Sequence, residues 1–403
     1  MKILPRVYYI FKHAINAIWA IPLVIIMRII YPFILIRVGT FNTQRVGHFV
    51  LDAAHHFIKQ HNYKANVVNW YWLPDDVCNK QWAKMIKRNF YVFKFVRGLD
   101  RWNKIIPGGK KHSRPFSETN SNDVEGLVAK SKEKMMEFLP SEDKKARQWL
   151  QNQGWNNSDS FVCIMVRDSM YMNSDNFQKK VERGNYDWSY QSYRNSEVHT
   201  FEDAMLWLAD NGVYVLRMGK TMSNPLGVKH HRIIDYAFNP ERSDLLDIWL
   251  FSKCRLCIST GSGADVVSEV YKKPILFLNY LPITGMHIWS DSVHMPKKLF
   301  WRKTKKLLSY REYIENNYSR TDEYISSGID IADLSSSEIM NAIQNRWRKI
   351  ILDEEESISD IELRESFSNT VLYADKFTKY NGFINTKFGM SPVFLRNNPK
   401  WLI

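Results

Sequence analysis

Short apolar runs alternate with amphipathic helical patterns through the second half of the chain. Three runs rich in β-branched residues predict strands, namely FVCIMV (161–166), VYVLRMG (213–219) and RLCIST (255–260). Apolar positions at helical spacing predict helices between them, in FEDAMLWLADNG (201–212) and SDLLDIWLFSKC (243–254). Because strands that alternate with helices form parallel sheets, this region is predicted to be an α/β domain.

The first half repeats this alternation in a shorter form. FILIRVG (33–39) and NVVNWYWL (66–73) predict strands. Helical patterns follow them in GHFVLDAAHHFIKQ (47–60) and NKQWAKMIKRN (79–89). We therefore expect a second α/β domain in this half of the chain.

Length and composition agree with two domains. A chain of 403 residues that is 45% hydrophobic can bury two ordinary cores. The predicted organisation is an N-terminal helix at 1–30, a first domain at 31–140, a second domain at 141–352 and a C-terminal tail at 353–403.

The N-terminal helix has a membrane-like pattern. Residues 13–27 carry no acidic or strongly basic side chain, Lys2, Arg6 and Lys12 precede them, and Arg28 follows. A helix of that length measures about 22 Å, short of the ~30 Å hydrocarbon layer. The pattern favours a monotopic anchor with its basic residues at anionic headgroups. A single-pass span and a buried core helix are the alternatives.

Charge and cysteine usage narrow the class of protein. The formal net charge of +14 favours an anionic partner, such as a phosphorylated small molecule, anionic lipid or nucleic acid. Four cysteines are too few for a secreted disulfide scaffold. Cys254 and Cys257 form a single C-x-x-C without the second pair that zinc would require, so we interpret them as buried apolar residues and expect no metal site.

The turn after the third predicted strand is the best candidate for an anion site. Thr260–Gly263 lies at the carboxyl end of that strand, where parallel sheets bind ligands. Ser262 could cap the following helix with Asp265 three residues later, and the first-turn N–H groups would attract a phosphate. The turn is neither a Walker loop nor a dinucleotide fingerprint, since Val266 stands where the third glycine belongs. An ordinary capped turn is the alternative.

Other strand ends carry side chains suited to a diphosphate. Arg167 and Arg217 follow predicted strands, Gly219 lies just beyond Arg217, and the loop YRNSE supplies Arg194 and Asn195. Arginines that converge on one turn match phosphate oxygens with their forked donors.

A carboxylate follows the turn on the predicted helix. Glu269 lies seven residues after Ser262, on the same face, and could accept hydrogen bonds from a ribose diol. Its alternative role is plain solvation on a helix surface.

Several motifs together resemble a family of bacterial glycosyltransferases from surface-polysaccharide gene clusters, over nearly the whole chain from Ile21. They are IRVGTFNTQRVGHF, VRDSMYM, YRNSE, RMGK, IDYAFNPERSDLLDIWLFSKCRLCISTGSG, KKPILFLNYLPI, MPKKLFWRKTKKLLSYREYI and FGMSPVFLRNNPKWL. More distantly, the chain is similar to B-type glycosyltransferases, in which two Rossmann-like domains face across a cleft.

The resemblance implies a different role for each domain. The C-terminal domain would bind a nucleotide-sugar, the N-terminal domain would bind a glycan or lipid-linked acceptor, and the tail would pack back on the N-terminal domain. Arg167 would match the donor-binding arginine of fucosyltransferase-like members, although the second arginine of that motif is Asp168 here. Glu269 lies closer to Pro274 than the ribose-binding acid of B-type enzymes does. The implied location is the cytoplasmic face of the inner membrane.

The implied chemistry requires a base and no cofactor beyond the nucleotide-sugar itself. Cationic side chains would take the charge of the leaving diphosphate without a metal ion. His48 is the first candidate base, because similar B-type enzymes place Gly-His in the loop after the first strand, and a structural hydrogen bond is its alternative role. Asp168 is the second candidate, with an ion pair as its alternative.

Two other functions compete with glycosyl transfer. A nucleotide-sugar epimerase on the same fold would use the donor without an acceptor. A basic, membrane-attached protein that binds polyanions would need interleaved basic and aromatic residues, and FWRKTKKLLSYR (300–311) is the one run of that kind. We expect that run to be a solvated helix face or a lipid contact, and we expect no nucleic-acid partner.

Overall fold

The computed structural model describes residues 3–61, 66–174, 187–351, 354–372 and 382–403. The chain forms two compact units. Unit 1 consists of Met1–Ser121 and Ser131–Phe138, and unit 2 consists of Asn122–Lys130 and Leu139–Ile403. Each has its own parallel sheet, so the chain has the α/β fold that the alternating pattern predicted.

Unit 1 is built on a small parallel sheet. Its elements are α1 (Ile3–Ile29), β1 (Leu35–Gly39), α2 (Val46–His61), β2 (Val67–Tyr71), α3 (Lys80–Asn89), β3 (Tyr91–Val92) and α4 (Val96–Ile105). The strand order is β1-β2-β3, with Gly39 opposite Tyr71 and Trp70 opposite Tyr91. On the free side of β1, Val38 makes an isolated parallel bridge with Ser113. Neighbouring segments therefore lie on both sides of β1, so the carboxyl end of this strand is a topological switch point of the sheet.

One face of this sheet is apolar. Ile36 and Val38 pack against Val24 and Met27 of α1 and against residues of α4. Arg28, at the end of α1, donates to the carbonyl oxygens of residues 106 and 107, which follow α4. The N-terminal helix is thus part of the unit 1 core along one side, and none of the helices described here is long and apolar enough to cross a membrane.

Unit 2 contains a seven-stranded parallel sheet. Its strands are β4 (Phe161–Met165), β5 (Tyr214–Arg217), β6 (Ile233–Ile234), β7 (Leu256–Ser259), β8 (Ile275–Tyr280), β9 (Ser292–Pro296) and β12 (Gly389–Met390), and the separate β10 (Lys298–Trp301) pairs antiparallel with β11 (Ile329–Ala332). The order is β12-β9-β8-β7-β4-β5-β6. The six strands that come first along the chain lie in the order β6-β5-β4-β7-β8-β9. This is the doubly wound order of dinucleotide-binding folds, and its switch point lies between β4 and β7.

Helices alternate with the strands of unit 2 along the chain. They are α5 (Leu127–Lys130), α6 (Pro140–Asn152), α7 (Met170–Asn173), α8 (Glu202–Asp210), α9 (Asp244–Lys253), α10 (Val266–Val270), α11 (Tyr310–Glu315), α12 (Thr321–Ser326), α13 (Ser336–Ile351), α14 (Ile358–Leu372) and α15 (Pro392–Asn397). Cys254 and Cys257 are buried in this core and form no disulfide.

The C-terminal tail differs from the expectation that it returns to the first domain. Its described residues lie in unit 2, where β12 extends the sheet beside β9. Trp401 is buried against the rings of Tyr310, Phe367 and Phe394. The burial of these aromatic side chains explains why the tail stays with unit 2.

Candidate functional site

The switch point of unit 2 joins two of the predicted site residues. Arg167 follows β4 and Thr260 follows β7, and the Arg167 N–H donates to Thr260 Oγ1 at 2.8 Å. The Thr260 N–H in turn donates to the Met165 carbonyl oxygen at 3.1 Å. Two neighbouring parallel strands thus end at the same height, so their terminal side chains share one edge of the sheet.

The Arg167 side chain is held by neutral groups. Its guanidinium donates to Asn195 Oδ1 at 2.6 Å and to the carbonyl oxygen of Gln191 at 3.2 Å. Burial, with a smaller contribution from the nearby Arg194 charge, lowers the pKa of Arg167 to about 10. The group remains protonated at neutral pH, and among the described residues no carboxylate forms a hydrogen bond with it.

Arg194 reaches the predicted turn. Its guanidinium donates to the carbonyl oxygen of Gly261 at 2.9 Å. The residue ends a short 3₁₀ helix, Ser189–Arg194, which is tied to α12 because Thr321 Oγ1 accepts from the Tyr193 N–H at 3.0 Å. A distant loop therefore brings Arg194 to the turn after β7 and Asn195 to Arg167 after β4.

Lys297 is a third cation, which the sequence patterns did not indicate. Only 3% of it is exposed, and its Nζ donates to the Asn195 carbonyl oxygen at 2.5 Å and to Asp333 Oδ1 at 2.6 Å. Burial lowers its pKa, Asp333 opposes that effect, and the Arg167 charge adds to the lowering. Its signal in the sequence was weak, because Lys297 and Lys298 resemble an exposed basic pair.

The turn itself has a fixed backbone geometry. Gly261 has a φ of 83°, and a Cβ there would lie 2.8 Å from the Tyr280 ring, so glycine is required. Its N–H donates to Ser259 Oγ at 3.1 Å. Among the described residues, the N–H groups of Gly263 and Ala264 have no acceptor, so these two remain available to an anion.

The predicted cap of the next helix is wrong in its details. The helix begins at Val266, after Asp265 rather than after Ser262, and has five residues. Asp265 instead braces the turn, accepting from the Ser262 N–H at 2.7 Å and from Ser259 Oγ at 2.6 Å. Burial raises the pKa of Asp265. A helix this short has a small dipole, so cationic side chains must provide most of the attraction for an anion.

Arg217 and Gly219 lie in a different set of contacts. The buried Arg217 guanidinium forms an ion pair with Asp235 at 3.1 Å and donates to the Asn224 carbonyl oxygen at 3.1 Å. Gly219 has a φ of 159°, and a side chain there would meet Met222. These contacts do not support the predicted convergence of Arg217 on the turn, because Asp235 and the Asn224 carbonyl oxygen already hold its guanidinium group in the β5–β6 region.

Glu269 is also occupied. It is buried, its Oε2 lies 2.7 Å from Nδ1 of His287, and its Oε1 accepts from the Trp289 indole N–H at 2.5 Å. Burial favours neutral His287, but Glu269 outweighs that effect and raises the pKa of His287. With both oxygens satisfied, Glu269 is a structural ion-pair partner rather than a ribose ligand or a solvated side chain.

Asp168 has a bracing role in unit 2. Its Oδ1 accepts from the Met170 N–H at 2.9 Å, and its Oδ2 accepts from the Ser223 N–H at 2.8 Å. These bonds hold the loops after β4 and β5 together. Both carboxylate oxygens are engaged by backbone donors, which disfavours the predicted role of Asp168 as a base.

His48 has the surroundings of a base in unit 1. It lies in the first turn of α2, half-buried, and its Nδ1 has no hydrogen-bond partner in the described part of the chain. Burial lowers the pKa of His48, Asp52 opposes this, and Arg45 adds to the lowering. The neutral imidazole therefore dominates at neutral pH, which is the form that accepts a proton.

Asp52 lies one helical turn after His48 and is 1% exposed. Its Oδ1 accepts from the N–H and the hydroxyl of Thr119, at 3.1 and 2.8 Å, and its Oδ2 has no partner among the described residues. A buried carboxylate oxygen without a donor is costly. Its negative charge is placed where it would stabilise a protonated His48.

An ion-pair network fixes the segment that Asp52 contacts. Glu118 pairs with Arg114 at 2.7 Å, with Lys59 at 3.2 Å and with His56 at 3.3 Å. Burial opposes ionisation, but these three neighbours outweigh it and hold the pKa of Glu118 well below its usual range. Because the Arg114 N–H also donates to the Val38 carbonyl oxygen at 2.9 Å, the network lies at the carboxyl end of β1.

Three solved structures of glycosyltransferases are similar to the chain. A glycosyl transferase of family 9 from Veillonella parvula is 9% identical, with a TM-score of 0.40 over 66% of this chain and 86% of that one. The E. coli heptosyltransferase WaaC with ADP is 10% identical, with a TM-score of 0.36 over 79% and 100%. The E. coli ADP-heptose LPS heptosyltransferase II is 11% identical, with a TM-score of 0.34 over 64% and 90%. No family model matches the chain, and no curated protein is significantly similar to it.

Proposed function

We propose that the chain is a glycosyltransferase that moves a sugar from a nucleotide-sugar to a glycan or lipid-linked acceptor in bacterial surface-polysaccharide synthesis. The observation that carries this proposal is the cation cluster at the unit 2 switch point, which we define as Arg167, Arg194 and Lys297. Asn195 links two of its members, since its side-chain oxygen accepts from Arg167 and its carbonyl oxygen accepts from Lys297.

The charge of the cluster supports a diphosphate as its ligand. Asp333 pairs with Lys297, but Arg167 and Arg194 donate to neutral oxygens at this edge. These two guanidinium groups are partly buried and close enough for the Arg194 charge to disfavour the Arg167 charge, and an anion beside both would offset that repulsion. Two forked guanidinium groups and the free N–H groups of the turn offer the donors that adjacent phosphate groups accept.

The proposed reaction breaks the bond between the anomeric carbon of the sugar and the diphosphate oxygen. The acceptor hydroxyl oxygen forms the new bond to that carbon, and its proton goes to a ring nitrogen of His48. Asp52 would stabilise the resulting imidazolium, while the cation cluster stabilises the charge that develops on the leaving diphosphate. Because cations of the chain fill that role, we propose a reaction without a metal ion.

Binding of nucleoside diphosphates tests the donor site directly. We expect one of UDP, ADP, GDP or CDP to raise the midpoint of thermal unfolding, and inorganic diphosphate to do so more weakly. The matching nucleotide-sugar should then release nucleoside diphosphate in the presence of a membrane glycolipid extract. Failure of every nucleotide to stabilise the protein would contradict the proposal.

The same assays separate the competing functions. Conversion of the nucleotide-sugar into another nucleotide-sugar without an acceptor would identify an epimerase. Salt-sensitive binding of nucleic acid or anionic polysaccharide, without nucleotide binding, would identify a polyanion-binding protein.

A further inference from the structure

Helix α1 has two apolar faces, and the unit 1 core uses one of them. Val24 and Met27 are buried against the sheet and α4. Ile18, Ile25 and Ile29 lie on the other side, where 76%, 49% and 68% of their surfaces are exposed. Their spacing of seven and then four residues places them along one helical stripe. Folding of unit 1 therefore leaves this stripe exposed.

Exposed aromatic side chains extend the stripe beyond the helix. The Trp19 ring lies 6.2 Å from the Phe95 ring, and Phe95 stacks on Phe93 at 5.5 Å. Both phenylalanines are more than one-third exposed. Phe33, four residues after Ile29, is 78% exposed. Together with the stripe, these side chains give unit 1 an extensive exposed apolar surface, which monomeric soluble proteins seldom keep without a function.

Basic residues lie at both ends of this surface. Near the aromatic end, Lys94 is exposed between Phe93 and Phe95. At the other end, Lys111 Nζ lies 5.1 Å from the centre of the Tyr31 ring. No acidic residue precedes Asp52 in the chain, so α1 contributes no negative charge to the surface. Aromatic and basic residues around an apolar stripe are typical of helices that lie at a lipid headgroup layer.

We propose that this surface, Ile18, Ile25, Ile29, Phe33, Phe93 and Phe95, rests on an anionic phospholipid bilayer with α1 parallel to the membrane plane. The opposite face of α1 is part of the unit 1 core, so the helix cannot leave the protein to span the bilayer. A second protein chain would not require the flanking cations, whereas anionic headgroups do. The apolar stripe inserts into the bilayer, and the lysines make the surface prefer lipids with negatively charged headgroups.

Flotation of the full-length protein with vesicles tests this proposal. We expect binding to vesicles with about 30% phosphatidylglycerol, weaker binding to phosphatidylcholine alone, and a decrease with added salt. Replacing Ile18, Ile25 and Ile29 by Ser should lower the partition coefficient about tenfold or more. A control variant with Ser at Ile325, Ile358 and Ile403, which are 55%, 77% and 87% exposed in unit 2, should bind as the wild type does.

Three outcomes would overturn the proposal: equal binding of wild type and stripe variant, an equal loss in the control variant, or no binding by the wild type. Light scattering in the absence of lipid tests the alternative that a second copy of this chain binds the surface. If the wild type is a dimer that the stripe variant converts to a monomer with unchanged lipid binding, the surface is a dimer interface instead. Circular dichroism of each variant confirms that unit 1 remains folded. None of these measurements requires glycosyl transfer.

Discussion

Replacing Arg194 by Ala is the most direct test of the donor site. The guanidinium is partly exposed and makes one hydrogen bond in the described structure, to the Gly261 carbonyl oxygen at 2.9 Å. Loss of that bond leaves a carbonyl oxygen that water can reach, so the free energy of unfolding should fall by about 1 kcal/mol or less. The protein should therefore remain folded while the cation cluster loses one of its three charges.

The expected loss of affinity follows from the bond that Arg194 would make to a phosphate. A hydrogen bond to a charged group contributes about 1.5–3 kcal/mol, and each ~1.4 kcal/mol changes Kd about tenfold. Because Arg194 is partly exposed, solvent screening favours the lower part of that range. We expect Kd for the best-bound nucleoside diphosphate to rise about 10- to 30-fold.

Isothermal titration calorimetry at fixed ionic strength measures this change. Arg232→Ala provides the matched control, because Arg232 belongs to unit 2, has a similar exposure and lies over the Tyr214 ring at 5.8 Å, away from the turn. The control should retain wild-type affinity. Titration with inorganic diphosphate shows whether the loss concerns the phosphate groups or the nucleoside.

Wild-type affinity in the Arg194 variant would refute the assignment of the cation cluster as a diphosphate site. An equal loss in the Arg232 variant would attribute the effect to net charge rather than to the site. A large fall in the unfolding midpoint of the Arg194 variant would contradict its structural description.

The remaining predictions concern the base, the turn and the buried ion pair. His48→Gln should lower kcat about 10²- to 10⁴-fold with unchanged nucleotide affinity, and unchanged turnover would remove His48 from the mechanism. Because burial lowers the pKa of His48, the acidic limb of the wild-type kcat–pH profile should lie below the usual histidine range. Gly261→Ala should lower the free energy of unfolding, measured in urea, by about 1–3 kcal/mol. The reason is that φ is 83° and a Cβ would lie 2.8 Å from the Tyr280 ring. A variant as stable as the wild type would contradict this. The pKa of His287 is raised beside Glu269, so its stabilising contribution is complete below the unfolded pKa of about 6.5 and is lost as pH rises through the folded pKa. His287→Gln should therefore reduce the fall in unfolding free energy between about pH 6 and pH 8, and an unchanged pH dependence would refute that origin.

Much of the chain's architecture follows from local patterns. Apolar runs and helical periodicity predicted the parallel sheets, and the position of Arg167 after a predicted strand placed it at the carboxyl edge of a sheet, where the structure also has it. The sequence also predicted the turn Thr260–Gly263, in which the structure gives Gly261 a left-handed backbone. These inferences succeed because strand ends and turns are determined by neighbours within a few residues.

Tertiary structure alone decided which side chains are available at that edge. Arg167 and Arg217 look equivalent in sequence, but Asp235 neutralises only the second. Lys297 joins the site through Asn195, a residue 102 positions earlier in the chain. Glu269 is removed from it by His287 and Trp289. Periodicity reports the direction of a side chain relative to its own element, whereas its charge partners come from segments that only the folded chain brings together.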